Sequence, residues 1–200
     1  MEIVVASGNK GKLKEIEAFF GCKVIAFKEL VGHLEIEENG TTFAQNALIK
    51  ARAIYNLVDK DKYIVISDDS GISVEALNFE PNIYSARYAG ADASDKDNLQ
   101  KVVDGLNTKD IDSSKAYYTA AIAIVSKWGE YVVHGWMHGC VIDTPRGENG
   151  FGYDPIFIPN GFNKTLGELE DEVKVDLSHR SKALNLAKPI IDMLRKYENE

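Results

Sequence analysis

Several short polar stretches of this 200-residue chain combine cations, carboxylates and glycine in patterns that can do chemistry. The run Ser7-Gly8-Asn9-Lys10-Gly11-Lys12 places a glycine-containing turn and two lysines just ahead of a helical pattern, an arrangement in which backbone amides and ammonium groups favour a phosphate. It is not a Walker A loop, because two residues separate Gly8 from Gly11 and Leu13 follows Lys12 where a Ser or Thr is needed. The same turn also serves as ordinary punctuation between strand and helix. Asp68-Asp69-Ser70-Gly71 follows a β-branched run. Two adjacent aspartates facing one site repel each other unless a divalent cation, or a raised pKa on one of them, relieves the strain. A solvated turn is the plainer reading of the same residues. Ser70 lacks the G-x-S-x-G context of a nucleophile elbow, since Asp68 stands two residues before it. Glu35, Glu37 and Glu38 form a second acidic group that, alone, reads as a charged loop.

Two further motifs lie in the C-terminal quarter. Phe151-Gly152-Tyr153-Asp154-Pro155 offers an aromatic that can stack on a base, a glycine that allows close backbone approach and an acid that can hold a ligand; a turn with a packed Phe is the alternative. Ser178-His179-Arg180-Ser181-Lys182 opens a helix with two fixed cations and a histidine, at the end whose dipole favours anions, or is simply a capped surface helix. His134 and His138 share a strand face but stand about 13 Å apart at strand spacing, too far for one metal. Cys22 and Cys140 supply neither a disulfide framework nor a four-cysteine zinc site, and read as small buried hydrophobes. The Tyr117-Tyr118 pair reads as sheet packing.

The elements that must position these residues follow from hydrophobic period. Residues 3–6 read as a buried strand, and Leu13, Ile16, Phe19 and Phe20 as the stripe of a helix stopped by Gly21. A second strand is expected at 23–27, a helix at 42–59, and a third strand at 63–67 that delivers the aspartate pair at its end. Ser94 and Asp97 cap a helix running to about residue 106. Runs at 116–128 and 131–142, joined by Gly129-Glu130, predict an antiparallel hairpin. A glycine- and proline-bearing loop at 144–153 precedes a short strand at 155–158, a mixed segment and a helix at 178–197 carrying Pro189, which should kink it. The order predicts an α/β fold: a central mixed sheet flanked by helices, in a single domain over 1–200 with two lobes around a cleft.

Composition narrows the class. With 44% hydrophobic residues and no apolar stretch near the roughly 20 residues a bilayer span requires, a folded chain without membrane spans is expected. The net charge of −8 argues against nucleic acid as a partner, because affinity for phosphate backbones is largely counterion release by lysine and arginine. The N-terminus has no signal-peptide pattern, so cytoplasm is the expected location.

Six motifs in order, SGNKGK, FAQNALIKA, SDDSG, SARYAG, NGFGYDPIF and SHR, closely resemble the inosine triphosphate pyrophosphatase family, and the resemblance spans practically the whole chain. It implies two lobes around a substrate cleft, a homodimer, and Mg2+-dependent conversion of ITP, dITP, XTP or dXTP to the monophosphate and pyrophosphate. That activity cleanses the nucleotide pool and keeps deaminated purines out of DNA and RNA. Carried onto this sequence, Ser7, Gly8, Asn9, Lys10, Gly11, Lys12 and Lys50 would bind the triphosphate. Glu38 and Asp69 would hold magnesium, with Asp69 also the base for water, Asp68 supporting it and Ser70 touching substrate. Phe151, Gly152, Tyr153, Asp154, Lys174, His179 and Arg180 would hold the base and sugar. Three positions depart from the usual pattern: Ser7 replaces threonine, Gln45 an acid, and Asn82 a glycine. A phosphatase releasing orthophosphate and a non-catalytic nucleotide sensor are the competing readings.

Overall fold

The computed structural model describes residues 1–196, apart from the side chain of Lys10. Among the described residues six strands form one mixed sheet: β1 (Glu2–Val5), β2 (Ile25–Ala26), β3 (Tyr63–Val74), β4 (Ser113–Ser126), β5 (Gly129–Ile142) and β6 (Phe157–Pro159), in the order β2-β1-β3-β4-β5-β6. β1 pairs in parallel with β2 and with β3, setting Val4 opposite both Ile25 and Val65, whereas β5 and β6 are antiparallel with Cys140 opposite Ile158. The helices are α1 (Lys10–Phe20), α2 (Phe27–Val31), α3 (Phe43–Tyr55), α4 (Asp95–Thr108), α5 (Asp171–Leu177) and α6 (His179–Lys196).

The described residues divide into two compact units, each with its own apolar core. The first comprises Met1–Asp69, Ala120–Gly135 and the chain from Arg180 onward. Alternation along β3 organises it. Ile64 and Ile66 point one way and pack with Ile16 of α1 and with Leu184, Ala187 and Ile191 of α6. Ser67, of the other parity, donates its hydroxyl to the Ala47 carbonyl of α3, whose Ala47, Ala51 and Ile54 are fully buried. The sheet therefore carries α1 and α6 on one face and α3 on the other. The second unit, Ser70–Thr119 and Trp136–His179, gathers Ile72 and Val74 of β3, Leu99, Val102 and Leu106 of α4, and Tyr118, Tyr153 and Phe157.

Several expected boundaries change. The second strand shrinks to two residues because Phe27 opens α2, with the Glu29 carboxylate accepting from the Ala26 amide. Helix α3 ends at Tyr55, four residues short of the expected end. The hairpin turns at Lys127-Trp128, and Gly129-Glu130 already belong to β5; the Ser126 hydroxyl bonds across the turn to the Gly129 carbonyl. The mixed segment contains α5. Helix α6 continues through Pro189 to Lys196, and Tyr197, its expected end, lies outside the described residues. Cys22 is exposed instead of buried, because it follows Gly21, the left-handed residue that ends α1. No described helix is long and apolar enough to cross a membrane.

Candidate active site

The largest departure from expectation concerns the aspartate pair. β3 does not stop at Ser67; it runs unbroken through Asp68, Asp69, Ser70 and Gly71 to Val74, so the pair occupies the middle of a buried strand, not a turn at its end. Two consecutive strand residues face opposite sides of the sheet, which separates the carboxylates and gives each its own cations. This arrangement relieves the repulsion expected of two acids at one site.

Asp68 lies on the α1/α6 face and is only 1% exposed. Its Oδ2 meets Lys12 Nζ at 2.6 Å and Arg180 Nε at 3.2 Å, and Arg180 Nη1 also bonds Glu15 of α1. Burial alone would raise the Asp68 carboxyl, but Arg180 and then Lys12 outweigh it and hold the group well below the usual carboxylate range. Arg180 is itself buried, and its carboxylate partners, Asp68 first, push its pKa above the ordinary guanidinium value against the opposing effect of burial.

Asp69 lies on the α3 face. Lys50 Nζ stands 3.1 Å from Asp69 Oδ1 and 3.0 Å from Glu38 Oε2, with all three side chains largely shielded. Burial raises the Asp69 carboxyl, Lys50 opposes the rise and Glu38 reinforces it; the net direction is upward. The same two carboxylates outweigh burial and raise the Lys50 ammonium. One oxygen of each aspartate, Asp68 Oδ1 and Asp69 Oδ2, is buried with no hydrogen-bond partner among the described residues. Lone pairs left in this state call for a proton, a water or a cation.

The donor set fits a hard divalent ion. Magnesium is commonly bound by one or two carboxylates, with water and substrate phosphates filling the remaining positions. Glu38 and Asp69 already converge on one cationic atom, Lys50 Nζ. Among the described residues no three His, Cys, Asp or Glu side chains gather around a point, so these residues offer two carboxylates and not a complete cage.

The first loop is engaged with itself. Asn9 Oδ1 accepts from the amides of Gly11 and Lys12 at 2.8 and 3.1 Å, capping α1, and Ser7 Oγ accepts from the Asn9 amide at 3.2 Å. Two of the amides expected to face an anion are thus covered by Asn9, and Lys12 points to Asp68. Gly8 is exposed, with Lys28 Nζ 3.4 Å from the position of an added Cβ. The Lys10 side chain lies outside the described residues.

The remaining predicted site residues, other than Arg180, fall in the second unit. Phe151 is 56% exposed, as a stacking platform needs to be, whereas Tyr153 is buried and donates its hydroxyl to the Ser85 carbonyl at 2.7 Å. Gly152 has φ of 60° and its amide donates to Asp95; Asp154 accepts from the Phe151 amide. His179 stacks on Tyr118 with ring centroids 4.8 Å apart, so Tyr118 does more than pack the sheet. Lys174 Nζ is 2.7 Å from Asp171, and Ser70 is half-buried on β3. Two departures also find places. Gln45 Oε1 accepts from the Thr41 amide and hydroxyl, and Asn82 adopts φ of 51°, a conformation that glycine takes without strain. Sequence reasoning missed Glu15, whose only signal was its spacing three residues after Lys12 on the α1 pattern.

A mixed α/β sheet that buries adjacent aspartates on opposite faces, each against its own cations, defines an α/β protein built around a carboxylate and lysine centre. The chain belongs to the Ham1 family, whose family model matches residues 3–190. It is 62% identical over 202 residues to the dITP/XTP pyrophosphatase of Sulfurovum sp. (strain NBC37-1), covering 99% of this chain and 97% of that one. It is 58% identical to the dITP/XTP pyrophosphatase of Nautilia profundicola, covering 94% and 95% of the two chains. The Ham1 protein of Staphylococcus aureus superposes with a TM-score of 0.86 at 39% identity, over 96% of this chain and 98% of that one. A HAM1 protein from Coxiella burnetii gives 0.87 at 36%, over 96% and 99%. These matches bear out the resemblance carried by the six ordered motifs and the mixed sheet expected from them.

Proposed function

We propose that the chain hydrolyses ITP, dITP, XTP and dXTP to the monophosphate and pyrophosphate with Mg2+, cleansing the nucleotide pool. The observation that carries the site assignment is the Glu38–Lys50–Asp69 cluster with a partnerless, buried Asp69 oxygen. The names of the relatives support the substrate class.

In this reading Glu38 and Asp69 hold the magnesium, which supplies charge neutralisation at the phosphate oxygens and the leaving pyrophosphate. Lys50 turns from its carboxylates to the triphosphate, joined by Lys10, Lys12 and the 7–12 loop. Asp69 accepts the proton of the attacking water at Oδ2, the oxygen without a partner among the described residues. Water attacks the α-phosphorus, because displacement there expels pyrophosphate directly. Asp68 supports Asp69 by anchoring Arg180 on the opposite face.

The base and sugar are held by Phe151, Gly152, Tyr153, Asp154, Lys174, His179 and Arg180, with Ser70 touching substrate. Because Arg180 is engaged by Asp68 and Glu15, and Tyr153 by Ser85, backbone amides are the better candidates for reading the 6-keto group. Adenine, with an amine at that position, would leave such a donor unpaired. We further propose a cytoplasmic homodimer.

Product identity and rate with dITP, XTP, dATP and dGTP, in Mg2+ and then in EDTA, tests the function. Metal-dependent release of pyrophosphate from dITP and XTP is expected, with little from dATP or dGTP. Orthophosphate as the product, or saturable binding without turnover, would overturn it.

A further inference from the structure

We propose that Asn46 is a positioning residue that clamps the loop carrying Glu38, so that the Glu38 carboxylate is presented to Asp69 and the metal; the inference rests on the metal reading above. Asn46 is fully buried in α3, one turn before Lys50 and therefore on the same helix face. Its Oδ1 accepts from the Gly40 amide at 2.9 Å, while its Nδ2 is buried with no partner among the described residues. An amide half satisfied in the interior costs stability that an apolar side chain of similar size would not. The contact to Gly40 is what the polar residue provides.

The backbone at Gly40 is pressed against the start of α3. A Cβ there would lie 2.6 Å from Asn46 Oδ1 and 2.7 Å from Gln45 Cβ. Gln45 and Thr42 secure the next residues, through the Thr41 amide and the Gln45 amide respectively. Glu38, two residues before Gly40, returns to the same helix at Lys50. The end of the acidic loop is thus tied to the helix that carries Lys50, and Asn46 holds the loop backbone nearest to Glu38.

The test is Mn2+ binding to the nucleotide-free full chain at 25 °C, followed by loss of the free-ion EPR signal, with melting temperature measured alongside. Asn46→Ala and Gly40→Ala attack the same contact from opposite sides. Each is expected to raise the Mn2+ Kd about tenfold, the lower end of the cost of losing a partner that orients a metal ligand. The double variant is expected to be no weaker than the poorer single variant, because both lose one interaction. If Asn46→Ala does not fold, Gly40→Ala decides alone. A lowered melting temperature with unchanged Kd in the folded variants, or additive losses, overturns the clamp. Glu38→Gln separates the two levels: unchanged Kd in that variant overturns the metal reading itself, whereas a weakened Kd there with none at Gly40 or Asn46 overturns only the clamp.

Discussion

Asp68 and Asp69 differ by one position and one strand face, and that difference divides their chemistry. Asp69 retains a buried oxygen without a partner and a carboxyl raised by burial, so Asp69→Asn is expected to lower kcat by about a hundredfold or more while nucleotide still binds. Comparing single-turnover rate with equilibrium nucleotide affinity checks this, and wild-type turnover in the variant would remove Asp69 from the mechanism. Asp68 is held by Lys12 and Arg180. Replacing it by Asn leaves Arg180 and Lys12 facing a neutral group in a buried site, a change expected to cost about 3 kcal/mol at pH 7. Its folded pKa is depressed, so the ionised form stabilises the fold fully above the ordinary carboxylate pKa of about 4 and progressively less as pH falls toward the folded value. Urea denaturation of wild type and Asp68→Asn from pH 7 to pH 3 should show the wild-type advantage shrinking with acidification. An advantage that grew would contradict the ion-pair account.

At the scale of elements, caps and glycines read from sequence are present where the local pattern is self-sufficient. Ser94 and Asp97 form a reciprocal capping box on α4, with Ser94 Oγ accepting from the Asp97 amide at 3.2 Å. Ser94→Ala is expected to lower stability by about 1 kcal/mol and leave pyrophosphate release unchanged, measured by thermal denaturation and by rate. The Asp97 carboxylate accepts from the Ser94 amide and hydroxyl and so belongs to the cap. Gly21 closing α1 and Thr42 opening α3 were equally legible, because each acts on residues within a turn of itself. β3 was not. Asp-Asp-Ser-Gly is turn chemistry by local propensity, and it becomes strand interior only because Lys12, Lys50 and Arg180 arrive from three helices to neutralise it. The hairpin turn slipped by two residues for a similar reason, since Lys-Trp carries none of the glycine or asparagine that marks a two-residue turn.

Across the whole molecule, a chain of net charge −8 engages its central cations with carboxylates: Lys12 and Arg180 with Asp68, Lys50 with Glu38 and Asp69. A small triphosphate carrying its own magnesium can compete for these cations one at a time, but a DNA duplex needs a basic surface. Duplex DNA is therefore expected to migrate unshifted in a low-salt gel with the protein, and a salt-sensitive shift would contradict this. The sequence by itself determined the family, through six motifs in order, and the mixed α/β class, through the succession of strand and helix periods. These are properties of local pattern and motif order, and neither depends on distant contacts. Only the tertiary structure decided which acid faces which helix, that Arg180 is buried on Asp68 and Glu15, and that Tyr153 serves the Ser85 carbonyl. Each of those outcomes depends on charges or hydrogen-bonding groups brought together from 19 to 165 residues apart, separations at which no spacing rule operates.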